Sequence, residues 1–154
     1  MLNTTGTKNT AIGTAALVHN DTAEQNTGTG AFALSNHVSG NGNTANGANA
    51  LFSDTSGLLS TAIGAGALFT DDNGFNGSFN TAVGASALSS NTAGDNTAVG
   101  AMALQTNSTG NENTAIGLSA LASNSTGNDP MSHQVTLLGS SKQPVATTSI
   151  SAQA

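Results

Sequence analysis

The chain contains no cysteine, tryptophan or tyrosine, and only five phenylalanines and two prolines in 154 residues. Without cysteine there is no disulfide framework, no thiolate metal site and no cysteine nucleophile. Cationic residues are nearly missing too: Lys8 and Lys142 stand alone against a net charge of −6. Two cations cannot neutralise a phosphate backbone or hold an anionic membrane surface, so neither nucleic acid nor membrane is an expected partner. No apolar run approaches the ~20 residues of a membrane-spanning helix. The opening Met-Leu-Asn-Thr-Thr lacks the basic region and apolar stretch of a signal peptide, so export would need a leader already removed or another route.

What fills the space is small. Ala, Thr, Gly, Asn and Ser supply 103 of the 154 residues. Gly, Asn, Ser and Thr at this density suppress helix, because each offers the backbone non-helical alternatives. Five phenylalanines cannot build a conventional core. The composition leaves disorder or a thin, repetitive β-structure, and periodicity decides between them.

One nine-residue phrase occurs seven times: Asn9–Leu17, Asn26–Leu34, Asn43–Leu51, Ser60–Leu68, Asn80–Leu88, Asn96–Leu104 and Asn113–Leu121. The starts are 17, 17, 17, 20, 16 and 17 residues apart, and Thr second, Gly fifth, Ala eighth and Leu ninth never vary. Disorder requires no invariant columns. A period of 17 is too short for a helix pair but suits one coil of a β-solenoid. The expected fold is therefore all-β, a parallel β-solenoid or β-roll of seven 17-residue repeats. Each coil is expected to hold two short strands and two turns.

The period of two along Asn-Thr-Ala-Ile/Val-Gly places Thr and Ile/Val on one face and Asn, Ala and Gly on the other. The fourth column is mostly β-branched and apolar, so Thr and Ile/Val are assigned inward. The expected core ladders are Thr10, Thr27, Thr44, Thr61, Thr81, Thr97 and Thr114, with Leu17, Leu34, Leu51, Leu68, Leu88, Leu104 and Leu121. The fifth-column Gly is expected where a Cβ would clash, and the variable seventh column is expected outside. Thr29 and Asn46 interrupt the apolar column, which predicts that the second and third coils are weak.

The phrase Asn-Thr-Ala-Val-Gly followed by Ala-Leu, as at Asn80–Leu88, resembles the repeat of trimeric autotransporter adhesin heads and of related bacterial surface and phage tail-fibre proteins. The resemblance covers about residues 3–129. It implies a left-handed parallel β-roll, assembly as a homotrimer and display at a cell surface. No coiled-coil stalk or membrane anchor follows the repeats, which departs from the adhesin plan.

Residues 1–129 read as the repeat array, with 1–8 a partial first coil, and 130–154 as a C-terminal tail. Two β-like stretches in the tail, Gln134–Leu138 and Val145–Ile150, suggest a capping or inter-subunit role through Val135, Leu137, Leu138, Val145 and Ile150. An insertion at Phe69–Phe79 accounts for the 20-residue spacing. Phe52, Phe69, Phe75 and Phe79, with Leu58 and Leu59, form an expected mid-array apolar patch, either a local cover or a contact face.

Catalysis is not expected, because three scattered histidines and no nucleophile-elbow context offer no acid–base machinery. His19 and His37 lie one position out of phase on neighbouring coils, a weak metal pair. Asp71, Asp72 and Asn73 make a weak calcium candidate in the inserted turn, without the later bidentate Glu. No cofactor is expected. A buried threonine ladder also argues against an ice-binding face. The expected function is a structural subunit of an extracellular filament, polymerising head to tail by stacking solenoid ends. In this reading the tail of one subunit completes the first coil of the next. The alternative is a trimeric adhesin-head or tail-fibre segment binding a cell surface.

Overall fold

The structure is a computed structural model that describes residues 4–70, 77–124 and 133–134. Seven three-residue strands recur once per repeat: β1 (Thr10–Ile12), β2 (Thr27–Thr29), β3 (Thr44–Asn46), β4 (Thr61–Ile63), β5 (Thr81–Val83), β6 (Thr97–Val99) and β7 (Thr114–Ile116). A two-residue strand, β8 (His133–Gln134), follows. All eight lie parallel in one sheet in chain order. The register is in phase throughout: Thr10 pairs with Thr27, Thr27 with Thr44, and so on to Thr97 with Thr114. The chain is thus a β-solenoid of about six turns. Spaced about 4.8 Å apart, the seven coils form a stack on the order of 30 Å long.

Each coil contains one strand, not the expected two. The Ala-Leu return path is a chain of turns, and backbone geometry explains why. Seventh-column residues such as Phe32, Asn49 and Met102 have φ of 57–60°, and the ninth-column leucines have φ of 48–52°. A left-handed conformation costs an L-residue about 1–2 kcal/mol. Six of the seven leucines are fully buried, and burying a leucine returns about 1.5–3 kcal/mol. At the ninth column the strain of the tight corner is offset by the side chain that fills the core.

The strand faces are the reverse of the sequence expectation. Third-column Ala45, Ala62, Ala82, Ala98 and Ala115 are completely buried, together with eighth-column alanines and the leucines. The threonine ladder (Thr10, Thr27, Thr44, Thr61, Thr81, Thr97, Thr114) is not in the core; it is half-buried on the outer face, and Thr10 is exposed. Beside it, Ile12 is 63%, Ile63 42%, Val99 37% and Ile116 39% exposed. A coil closed in 17 residues leaves no width for two ranks of β-branched side chains opposite leucine. The space is filled by methyl groups. Thr29 and Asn46 consequently interrupt an outer rank, and the weakness predicted for the second and third coils has no basis in the core.

Fifth-column Gly47 shows how closely the coils approach. Its φ is +145°, and a Cβ there would lie 2.5 Å from the carbonyl oxygen of Gly64 in the next coil. The same collision recurs at Gly13, Gly30, Gly64, Gly84 and Gly100. Gly84→Ala should therefore cost at least as much as the cavity left by Leu88→Ala, about 2–5 kcal/mol. Ser86→Asn should leave the melting temperature nearly unchanged, because the third coil already carries Asn49 at that corner. Thermal unfolding followed by circular dichroism measures all three.

Candidate functional site

The first column of the repeat, which sequence reasoning left unused, holds the stack together from inside. Asn26, Asn43, Asn80 and Asn96 are fully buried. Each side-chain oxygen accepts the backbone N–H of the first-column residue one coil on. Asn26 N–H donates to Asn9 Oδ1 at 2.9 Å, Asn43 to Asn26 at 2.8 Å and Ser60 to Asn43 at 2.8 Å. The series resumes with Asn96 to Asn80 at 2.9 Å and Asn113 to Asn96 at 3.0 Å. Ser60 serves Asn80 through its hydroxyl, at 3.2 Å. The amide nitrogens reach across the coil: Asn26 Nδ2 donates to Gly40 O at 2.8 Å, and Asn43 Nδ2 to Gly57 O at 2.7 Å. An asparagine carries one acceptor and a two-proton donor, so it can serve both neighbours at once. Nothing in composition distinguishes this ladder, but the column admits only Asn or Ser.

A second inner column lies three residues beyond each leucine. Asn20, His37, Asp54, Asn91 and Asn107 are all fully buried there. His37 and His19 do not come together as a pair. His19 is exposed, with Nδ1 2.8 Å from Ser35 O, whereas His37 faces Asp54, with Nδ1 and Oδ2 2.8 Å apart. Among the described residues no three His, Cys, Asp or Glu side chains are grouped to hold a metal. Asp71, Asp72 and Asn73 lie outside the described residues, as do Phe75, Val135, Leu137, Leu138, Val145 and Ile150.

The outer surface carries two ranks along the sheet, one of threonine hydroxyls and one of mainly Ile and Val. Only the second coil has threonine in both, at Thr27 and Thr29. In four of the other coils the second place exposes an apolar side chain: Ile12, Ile63, Val99 and Ile116. Exposed Met102 and Leu118 continue this apolar strip around the glycine corner. Along another edge Phe52 and Phe69 stack with centroids 5.1 Å apart, and Phe32 meets Phe52 edge-on at 6.4 Å. Leu59 and Phe79, just before their repeat phrases, are 60% and 50% exposed. The mid-array apolar patch is thus split: the Phe52–Phe69 stack covers itself, while Leu59 and Phe79 face outward.

The tail was expected to cap the array or to serve the next subunit; its described part, β8, pairs with β7 of its own chain, Thr114 against His133 and Ala115 against Gln134. At the other end, the N–H groups of Thr4, Thr5 and Gly6 all donate to Asp21 O, so the partial coil lies on the first full one. No family model, curated protein or solved structure matches the chain.

Substitutions separate the faces. Val99→Thr exchanges an outer side chain and should change stability by less than about 0.5 kcal/mol. Ala98→Val, one residue away but inward, overpacks the core and should cost about 1–3 kcal/mol. Asn43→Ala strands the N–H of Ser60 and the carbonyl of Gly57 and should cost at least as much as Ala98→Val. Urea unfolding of the three variants tests the assignment; a Val99→Thr loss equal to that of Ala98→Val would contradict it.

Proposed function

We propose that this chain is a structural rod of an extracellular or cell-surface fibre, built by self-association of identical chains, with no catalytic step. The observation that carries this reading is the equivalence of the coils. Each level of the stack presents the same Gly, Ala and Leu columns behind an Asn or Ser, in register with the next. A surface that repeats itself at every coil is complementary to a further coil, and the edge of a parallel sheet is a template for pairing. Contact of the two unlike ends is head-to-tail and need not close, which generates a filament. The resemblance of the repeat phrase to adhesin-head repeats supports the location outside the cell.

A second reading, a trimeric head or tail-fibre segment that touches a cell surface, is favoured by the apolar rank. Ile63, Val99, Ile116 and Leu118 stand exposed on the flank of the rod, not at its ends. A lateral, closed assembly buries such a strip, whereas end-to-end stacking leaves it in water.

Sedimentation and negative-stain electron microscopy of the purified chain distinguish the two. Open fibres one coil wide support head-to-tail stacking, and a closed trimer supports the lateral form. A chain that stays monomeric at tens of micromolar contradicts both. If assembly is lateral, Val99→Lys with Ile116→Lys should disperse it to monomers that melt like the parent chain.

A further inference from the structure

Coils that are interchangeable create a problem of their own. A given coil can stack on any other that offers the same Asn, Gly and Leu ladder, and repeat arrays misassemble in this way. In the inner column beyond the leucines, two successive coils differ from the other described ones, which carry Asn20, Asn91 and Asn107. Asn20 and Asn107 each donate from Nδ2 to a backbone carbonyl three residues on, at 3.1 Å to Ala23 and 2.6 Å to Gly110. His37 takes the same role with Nε2, 2.6 Å from Gly40 O. A carbonyl only accepts, so Nε2 carries a proton. Asp54 reverses the polarity: its Oδ1 accepts the N–H of Gly57 at 2.7 Å.

That leaves His37 Nδ1 and Asp54 Oδ2, 2.8 Å apart on side chains with no solvent exposure. Neither atom has a hydrogen-bonding partner elsewhere in the described residues, so each faces only the other. The pair lies within ion-pair distance, so histidine is the side chain of this column that can answer a carboxylate. Asparagine in place of His37 would turn a second acceptor, its Oδ1, toward the carboxylate, because its Nδ2 is committed to the Gly40 carbonyl. Asp54 is therefore compatible with the coil below only if that coil supplies histidine.

We infer that His37 and Asp54 form a registration key, which specifies that the third coil seats on the second. Specifying register is the best-attested use of a buried polar or ionic pair. If the third coil sat directly on the first, Asp54 would face Asn20, and its carboxylate would be buried without a proton donor of opposite charge. The inference is independent of how whole rods associate.

The key predicts an asymmetric mutational cycle. In Asp54→Asn, the new Nδ2 can donate to the free Nδ1 of His37, so the melting temperature should stay within a few degrees of the parent. In His37→Asn, the buried carboxylate loses its partner, and the melting temperature should fall by about 10 °C. Adding Asp54→Asn to His37→Asn should restore it, since both positions then read asparagine as at Asn20, Asn91 and Asn107. Register itself is read by disulfide trapping in this cysteine-free chain. Thr29 and Asn46 are partners in the observed register, and cysteines there should cross-link in every background. Cysteines replacing Ile12 and Asn46 become neighbours only if the third coil sits on the first. They should remain unlinked in the parent and cross-link detectably in the double-asparagine background. Absence of the rescue, or an equal 12–46 cross-link with and without the key, would overturn the inference.

Discussion

The width of the coil constrains everything else. A turn of 17 residues with a single three-residue strand encloses a space that admits leucine from one side and only a methyl group from the other. The polar backbone inside that space must still be satisfied, since a buried unpaired N–H costs about 1–3 kcal/mol. Asparagine solves both problems together. Its side chain is short enough to lie in the coil, its oxygen takes the next coil's N–H, and its nitrogen closes the loop opposite. The alanines, the corner glycines and the left-handed leucines are consequences of building around that amide.

The inner economy decides what is left for the outside. With the core committed to Ala, Leu and Asn, the β-branched residues that favour a strand are placed on the solvent face. There they stiffen the extended backbone without packing against it. The result is a rod whose stability is internal and whose flank is free to vary. Ile12, Thr29, Asn46 and Val83 occupy one column on four coils, a tolerance that a packed interior does not have. Function, in the proposed reading, is therefore carried by that flank and by the equivalence of the coils.

The repeat, the all-β class, the register and the glycine corner were legible in the sequence because each depends on phase alone. The faces were not. The period of two offered Thr with Ile/Val against Asn with Ala, and hydrophobicity favoured the wrong set. Variation within columns pointed the other way: the third column admits only Ala or Gly, while the fourth admits Ile, Val, Thr and Asn. Small and invariant marks the interior of a narrow coil better than apolar and variable does. The single strand per coil was hidden for a different reason, since nothing in Ala-Leu announces a leucine with φ near 50°. The His37–Asp54 contact was not legible because it needs the inner column three residues beyond each leucine, whereas His19 and His37 lie one position out of phase.

The inner asparagine ladder holds the coils together, and amide hydrogen exchange reads it residue by residue. The N–H groups of Asn43, Ser60, Asn96 and Asn113 are held by side-chain oxygens of the preceding coil. Their exchange should be as slow as that of Thr44, Thr61, Thr81 and Thr97, whose N–H groups bond the sheet backbone. Exchange of the asparagine-column amides at the rate of exposed turns, with the threonine amides protected, would contradict it.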